Sequence, residues 1–248
     1  MRLTYSLFLL LLSLSPEQTA QAKQLPVLKY NVTGSGNFYP YYINNRRNPG
    51  ILPEVIAQIL ARANIKAKHI ELPAKRTVKY LHLGNIDFDV INRAWLSEQE
   101  QKSDLFSYSE NLFAIEEYLV SLEENIQNWQ QLSHLNKQPV GTVLGYYYYD
   151  DTRFKRVDFH SEKELIKALK MNRIEVIIID KLSAKYWANK LNISIAFGAQ
   201  HSNGYLQIRL RSEHQAMLPA INEAIRSLKK EGTIEAIISK YTKTIPLH

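Results

Sequence analysis

The chain has 248 residues, no cysteine and a formal net charge of +7, from 31 Lys+Arg against 24 Asp+Glu. This length allows one large domain or two of roughly 100–130 residues, each with a core of its own. The absence of cysteine excludes disulfides, thiolate nucleophiles, cysteine-ligated zinc and iron–sulfur clusters. The positive charge leaves a nucleic acid, a membrane surface or an anionic solute open as a partner.

The N-terminal residues have the features of a secretory signal peptide. Arg2 precedes the uncharged, mostly apolar run 3–14, and the small residues Ala20 and Ala22 precede Lys23. The apolar run is shorter than the ~20 residues that a membrane-spanning helix needs. We therefore expect residues 1–22 to be cleaved after Ala22 and the rest to reach the periplasm, the alternative being an uncleaved anchor.

Between residues 25 and 122 the sequence predicts alternating strands and helices. Apolar residues recur at i, i+3, i+4, i+7 and i+8 from Leu52, which predicts an amphipathic helix over 50–64. A second helix over 75–83 ends at Gly84, a residue that commonly terminates helices. The predicted strands of this half are 25–32, 68–72, 88–91 and 118–122.

The alternation restarts at residue 139. Ser161 and Glu164 have the spacing of a capping box, which predicts that a helix begins there and runs to Leu169. The β-branched run 174–179 is typical of a central parallel strand that is buried on both faces. The other predicted strands are 139–144, 193–197 and 205–210, and the other predicted helices are 181–191, 217–228 and 234–241.

The repeated alternation of strand and helix predicts an α/β fold with two mostly parallel sheets in two lobes. In such sheets a ligand binds beyond the carboxyl ends of the strands. The segments expected at these ends are 33–49, 92–97 and 145–150, together with Asp180.

Motifs for catalysis, cofactors and nucleic acids are missing from the sequence. It contains no Gly-x-Ser-x-Gly elbow, no phosphate-binding glycine loop and no dinucleotide fingerprint. The seven histidines are scattered without metal-ligand spacing, and the basic residues are dispersed among acidic ones. We therefore expect no cofactor, no metal and no nucleic-acid partner.

Six short segments, in order, resemble the motifs of one protein family. They are an aromatic-x-Pro-aromatic loop, a glycine leading into the first helix, a Leu-x-x-Gly-x-x-Asp turn, a Phe-Ser segment, a strand-and-glycine start of a second lobe and a late Lys-Tyr pair. In this sequence they are 38–41, 50–55, 81–87, 106–109, 140–145 and 240–241. Across residues 25–242 the chain resembles the periplasmic solute-binding proteins of ABC importers, amino-acid-binding type (bacterial extracellular solute-binding protein family 3).

The resemblance implies a type II periplasmic-binding-protein fold, with two α/β lobes joined by a two-stranded hinge. The hinge would lie near 116–121 and 198–205. The first lobe would comprise 23–117 plus 203–248, and the second lobe 118–202.

The resemblance also implies a function. It implies a monomeric binding protein, not an enzyme, that closes on a small polar solute (an amino acid or related compound) and delivers it to a membrane permease. Two alternatives stay open. One is a dehydratase-like enzyme of the same fold, with Glu71, Asp89 and Asp180 as candidate acid–base carboxylates. The other is a solute-sensing module that acts on a membrane receptor.

Three ligand-binding positions follow from the resemblance. Phe38 matches a ring that packs on the ligand, or it is a core aromatic. Asn92 matches a polar residue that bonds to the ligand, or it is a turn residue. Asp180 matches the carboxylate that takes the ligand's α-amino group by charge-assisted hydrogen bonds, or it caps the following helix.

Tyrosine is abundant, with 15 residues, and several lie in the loops expected at the cleft. Tyr39 follows Phe38 in the first of these loops and is a further candidate ligand contact. Tyr146 and Tyr147 stand where the family holds the ligand carboxylate with small hydroxyl residues, so we expect a different pocket here. Tyrosine rings offer apolar area, a hydroxyl and a face that attracts cations.

One feature of the family is missing. The family usually has Thr-x-x-Arg where this chain has Ser97 onward, and that arginine clamps the ligand carboxylate. The segment 97–101 contains no arginine. Arg93, at the end of a strand, and Arg76, at the start of the second helix, are the candidates to replace it, because a carboxylate needs a planar pair of donors or an equivalent. The alternative for each is a solvated surface residue.

Overall fold

The computed structural model describes residues 27–36 and 38–243, so the predicted signal peptide and its cleavage site lie outside the described residues. No helix within these residues has both the length and the apolar character to cross a membrane. The helices are α1 (Ile51–Arg62), α2 (Ala74–His82), α3 (Glu98–Gln101), α4 (Glu162–Lys170), α5 (Lys181–Leu191), α6 (Leu218–Lys230) and α7 (Thr233–Thr242). The strands are β1 (Leu28–Asn31), β2 (Ala67–His69), β3 (Phe88–Asn92), β4 (Phe106–Tyr108), β5 (Ala114–Leu122), β6 (Pro139–Val143), β7 (Lys155–Phe159), β8 (Ile177–Asp180) and β9 (Ile195–Arg211).

The strands follow one path in the order β2-β1-β3-β9-β5-β8-β6-β7, with β4 also paired to β9. At the outer parts of the path the pairing is parallel, between β1 and its neighbours and between β6 and its neighbours. In the middle, β9 runs antiparallel to β3 and β5, and β5 runs antiparallel to β8. The expected parallel pairing therefore holds only away from the centre of the path.

Strand β9 differs most from the prediction. The two strands predicted at 193–197 and 205–210 are parts of this one continuous strand of 17 residues. Its middle contains Gly198 and the polar residues 200–203, which interrupt the apolar pattern along the chain. The backbone nevertheless stays extended, because β5 pairs with it along this stretch.

Two strands were not predicted at all. These are β4 and β7, and β7 illustrates the reason. It lies at the end of the strand path, next to β6 alone, and three of its five residues are charged. Edge strands often carry charged side chains, which discourages pairing with another chain, so they lack the apolar signal of central strands.

Strands β5 and β9 contain the stretches predicted as the hinge. They pair from Ala114↔Tyr205 to Leu122↔Ile195, with register irregularities between Glu117 and Val120. Beyond this pair, β9 continues into the sheet with β3, and on its other side β5 pairs with β8. The pair thus connects the two groups of parallel strands, and the lobe boundaries within it stay a prediction.

Each predicted lobe has its own apolar core. In the first lobe, α1, α6 and α7 pack on the sheet, and the predicted stripe of α1 is buried in that cluster. In the second lobe the run around β8 is buried on both faces: Ile177 and Ile179 contact the α4–α5 side, whereas Val176 and Ile178 contact the opposite cluster. This alternation confirms a central strand that is buried on both faces, but β8 is parallel only to β6 and runs antiparallel to β5.

Candidate ligand-binding cleft

A cavity of about 100 Å³ lies between the two groups of strands. The loop after β1, the start of α2, and strands β3 and β9 line it from the first lobe. The loop after β6, the start of α4 and the end of β8 line it from the second lobe. The segments expected at the carboxyl ends of the strands, 33–49, 92–97, 145–150 and Asp180, all contribute to this lining.

Hydrogen bonds join the two sides of the cavity at Ser35, Tyr146 and Glu162. The Ser35 amide donates to the Tyr146 hydroxyl at 2.9 Å, and that hydroxyl donates to the Glu162 carboxylate at 2.8 Å. The Ser35 hydroxyl donates to the same carboxylate. Tyr146 and Phe38 both line the cavity, with their rings edge to face at 6.0 Å. The structure therefore has its cleft closed.

Tyr39 also bridges the two sides, but outside the cavity lining. Its ring stacks on Tyr186 of α5 with 3.4 Å between the centroids, and its carbonyl accepts a hydrogen bond from the Ser183 hydroxyl at 2.7 Å. The predicted ligand contact is thus an inter-lobe contact in this structure.

Asp180 ends β8 and begins α5, and it combines the two roles that were considered for it. Its Oδ1 accepts a hydrogen bond from the Ser183 amide at 2.9 Å, which caps α5, and its side chain lines the cavity with only 4% of the residue exposed. Burial raises the pKa of this carboxyl from 3.8 to about 7; hydrogen bonds from Ser183 oppose the shift, and Glu162 and Glu117 add to it. A buried carboxylate of this kind is stabilised by a cation.

Glu117 and Glu162 place two more carboxylates at the cavity. Glu117 pairs with Asp180 in the β5–β8 register and accepts a hydrogen bond from the Ser202 hydroxyl at 2.6 Å. The His201 ring lies 3.6 Å from Glu117, and its other nitrogen lies 2.8 Å from an oxygen of Asp150. Burial raises the pKa of Glu162, while the hydrogen bond from Ser35 opposes the shift. This side of the cavity is therefore acidic.

A buried ion pair, which the sequence did not predict, lines the other side of the cavity. Asp89 of β3 and Arg209 of β9 are cross-strand partners. The guanidinium donates two hydrogen bonds to the carboxylate, of 3.0 and 2.6 Å. Arg209 is 2% exposed, and the rings of Phe106 and Tyr147 lie 5.1 and 5.6 Å from its Cζ. The sequence contains a signal for this pair, since Asp89 interrupts the apolar run of β3 and Arg209 stands between two buried apolar residues, Ile208 and Leu210.

Besides Tyr39, three predicted contacts lie outside the cavity lining. Asn92 is buried, and its side chain accepts a hydrogen bond from the Ala94 amide at 3.0 Å, so it caps a short 3-10 helix. Arg93 is exposed, stacks over Tyr108 at 4.6 Å and donates to a backbone carbonyl at 3.3 Å. Arg76 is exposed on α2. Neither arginine is brought to the cavity by the part of the chain that the structure describes.

Among the described residues, one group has the spacing to hold a metal ion: Asp87, Glu213 and His214. This group lies outside the cavity lining. Asp87 already accepts hydrogen bonds from the Lys29 amide at 2.6 Å and from the His214 ring at 3.0 Å. We therefore interpret it as an ion-pair cluster that ties β9 to the start of β3.

Comparison with curated proteins identifies remote relatives. The L-cystine-binding protein TcyJ of Escherichia coli strain K12 is 27% identical over 158 residues, which is 61% of this chain and 59% of TcyJ. A second relative with the same name, from Escherichia coli O6:H1, matches equally. The chain thus spans 59% of the length of the curated relatives that it matches.

Solved structures confirm the predicted fold. A mutant of ArgBP from T. maritima has a TM-score of 0.71 at 19% identity, covering 88% of this chain and 95% of that one. The GluR0 ligand-binding core from Nostoc punctiforme, in complex with L-glutamate, also has a TM-score of 0.71, at 18% identity, covering 87% and 99%. The profile of the bacterial extracellular solute-binding proteins, family 3, matches residues 30–244. Because that match covers most of the chain, the protein belongs to the bacterial extracellular solute-binding proteins, family 3.

Proposed function

We propose that this protein is exported and binds a small solute bearing an ammonium or guanidinium group, an amino acid or related compound, which it delivers to an ABC permease. The observation that carries the proposal is Asp180, a buried carboxylate at the cavity with no cationic partner of its own among the described residues. Family membership and the name of the relative TcyJ support it. The partner permease, the monomeric state and cleavage after Ala22 belong to the same proposal.

Closure of the cleft would be driven by the charge of the ligand. The bonds among Ser35, Tyr146 and Glu162 join the two sides only when the cleft is closed, and β5 and β9 are the strands that connect those sides. In this closed arrangement Asp180 is buried. A ligand shifts an open–closed equilibrium only through its greater affinity for one state. A cation that pairs with Asp180 has this preference, because it removes the electrostatic cost of closing.

The enzyme alternative receives less support than binding. Of its three candidate carboxylates, Glu71 is exposed and Asp89 is held by Arg209. That leaves Asp180, whose pKa of about 7 suits a general acid or base. The other carboxylates at its cavity, Glu117 and Glu162, already accept hydrogen bonds from hydroxyl groups. We propose that the protein does not transform its ligand.

A screen of amine-bearing solutes tests the proposed function. The mature protein is heated with amino acids, amines, guanidines and small carboxylic acids, each at about 100 times its dissociation constant where that is known. A ligand that binds only the folded state then contributes about 2.7 kcal/mol. For a chain of this length we expect Tm to rise by roughly 5–10 °C. X-ray scattering should show compaction, and NMR should recover the ligand unchanged. The absence of any shift, or the appearance of a product, would contradict the proposal.

Gly145 provides a separate test of closure. It has φ +85°, and a Cβ added to it would lie 2.5 Å from the Lys75 amide nitrogen, on the opposite side of the cleft. We expect Gly145→Ala to weaken ligand binding by about 10- to 100-fold, because the methyl group holds the cleft open at a cost of roughly 1–3 kcal/mol. Isothermal titration calorimetry measures the effect.

Gly232→Ala is the matched control for this closure test. Gly232 has a similar φ of +71°, but a Cβ added there meets nothing within 4 Å. Both variants therefore carry backbone strain and lose some stability, whereas only Gly145→Ala obstructs the cleft. Equal affinities in the two variants would show that contact across Gly145 plays no part in binding.

A further inference from the structure

The charges that line the cavity do not balance. Asp89, Glu117, Glu162 and Asp180 contribute four carboxylates, and Arg209 contributes the one guanidinium found in the lining among residues 27–36 and 38–243. Asp89 and Arg209 neutralise each other through their two-point contact. Three carboxylates are left to face the remainder of the cavity.

The donors that these three carboxylates already have are mostly neutral. Hydroxyl groups serve Glu162 and Glu117, and the Ser183 amide serves Asp180. The cationic group close to them is His201, which lies 3.6 Å from Glu117 and is shared with Asp150 at 2.8 Å. Its single positive charge is therefore divided between two acids. Hydrogen bonds satisfy the oxygens but leave the negative charge in place.

A ligand carboxylate would find no cation to receive it. Arg209 is buried, donates two N–H groups to Asp89 and lies near the rings of Phe106 and Tyr147. A ligand carboxylate bound to Arg209 would therefore have to share its single positive charge with Asp89. Arg76 and Arg93 lie outside the lining. Trp95 Nε1 is a buried donor without a hydrogen-bond partner in the described structure, and Trp95 lines the cavity. One neutral N–H suits a hydroxyl or carbonyl group and does not balance a carboxylate.

We propose, on the basis of the proposed function, that the ligand is a small organic cation without a carboxylate group, such as a diamine or an alkylguanidine. Its ammonium or guanidinium group pairs with the carboxylates of Asp180, Glu117 and Glu162. The aromatic rings of Phe38 and Tyr146 also line the cavity, and aromatic rings attract cations. The missing arginine after Ser97 then follows from the chemistry of the ligand, because no carboxylate has to be clamped.

Two matched pairs of compounds test this inference, each pair differing only in the α-carboxylate: cadaverine against lysine, and agmatine against arginine. Dissociation constants for the mature protein are measured by isothermal titration calorimetry at pH 7.5. We expect the compound without the carboxylate to bind roughly tenfold or more tightly in each pair that binds, because the lining repels a carboxylate. Equal or tighter binding of the amino acid would overturn the inference and leave the proposed function in place. If neither these four compounds nor any other amine-bearing solute of the screen binds, both proposals fail.

Glu117→Gln tests whether the lining carboxylates cause the preference. The change removes one negative charge but retains the shape and an acceptor for Ser202. We expect the amine-to-amino-acid affinity ratio to fall several-fold, whereas a purely structural defect would weaken both compounds equally and leave the ratio unchanged. Glu231→Gln is the control, since Glu231 is an exposed residue that pairs with Arg62 away from the cavity. An unchanged ratio in Glu117→Gln would contradict the electrostatic basis of the proposal.

Discussion

Asp180→Asn is expected to raise the Tm of the ligand-free protein at pH 8. The pKa of Asp180 in the folded protein is about 7, against an ordinary value of 3.8. At a pH between these two pKa values, Asp180 keeps its proton in the folded protein but has lost it in the unfolded chain. The free energy of unfolding therefore falls as the pH rises from 4 through 7, by about 1.4 kcal/mol per pH unit and about 4 kcal/mol in all. Asparagine removes this cost and retains an oxygen to cap α5.

The pH dependence distinguishes this mechanism from a general gain in packing. Thermal melts of both proteins from pH 4 to pH 8 should show a Tm difference of several degrees at pH 8 that shrinks towards pH 4, where both side chains are neutral. Glu117 and Glu162 face the same cavity and are present in both proteins, so the difference between the two curves reports the change at position 180. A Tm difference that does not vary with pH would contradict the burial of an uncompensated charge.

The same variant is expected to lose affinity for the ligand. Removing one partner of a buried charge pair costs about 2–5 kcal/mol, which corresponds to a 30-fold or greater loss. Asp104→Asn, at an exposed aspartate outside the cavity lining, is the control for removing one negative charge and should bind normally. Asp180→Asn would then be more stable than the wild type but bind the ligand more weakly. This combination is expected where a functional side chain lowers the stability of the protein. Unchanged affinity would remove Asp180 from the binding site.

Arg209→Met is expected to cause the largest loss of stability among the substitutions considered. It leaves Asp89, which is 6% exposed, buried without the guanidinium that now neutralises it. Breaking a buried pair in this way costs about 3–5 kcal/mol. Urea unfolding, followed by circular dichroism, measures the loss.

A double variant and an exposed pair give this prediction its controls. Asp89→Asn combined with Arg209→Met removes the uncompensated charge and should recover part of the stability lost in the single variant. Arg226→Met removes a guanidinium that is 52% exposed and paired with Glu110 and Glu223, and it should leave the free energy of unfolding nearly unchanged. A double variant no more stable than Arg209→Met would show that the loss comes from packing and not from the charge on Asp89.

Local sequence signals predicted the individual helices well. The stripe of α1, the glycine after α2, the Ser161 cap of α4 and the span 181–191 of α5 agree with the structure to within about two residues. Each of these signals concerns neighbours within a few positions, where periodicity and capping act directly. The capping box is incomplete in one respect: Glu164 accepts its hydrogen bond from the His160 amide instead of the Ser161 amide.

The candidate site was only partly accessible to the same reasoning. Phe38, Tyr146, Tyr147 and Asp180 do line the cavity, since each lies at the carboxyl end of a strand or in the loop that follows one. Arg76 and Arg93 were singled out by their position along the chain. The direction of a side chain depends on packing around it, and both arginines point to solvent or to a surface ring.

The sequence by itself determined the α/β class, the alternation of elements and the acidic residue at the end of β8, because these depend on short-range patterns. Only the tertiary structure decided that β9 is continuous, that Asp89 meets Arg209 from 120 positions away, and that three carboxylates converge on one cavity. Strand pairing over such separations depends on which strands become neighbours in the sheet, and nothing in the local pattern encodes that choice. The charge balance of the cavity, and with it the chemistry of the proposed ligand, was therefore set by the fold.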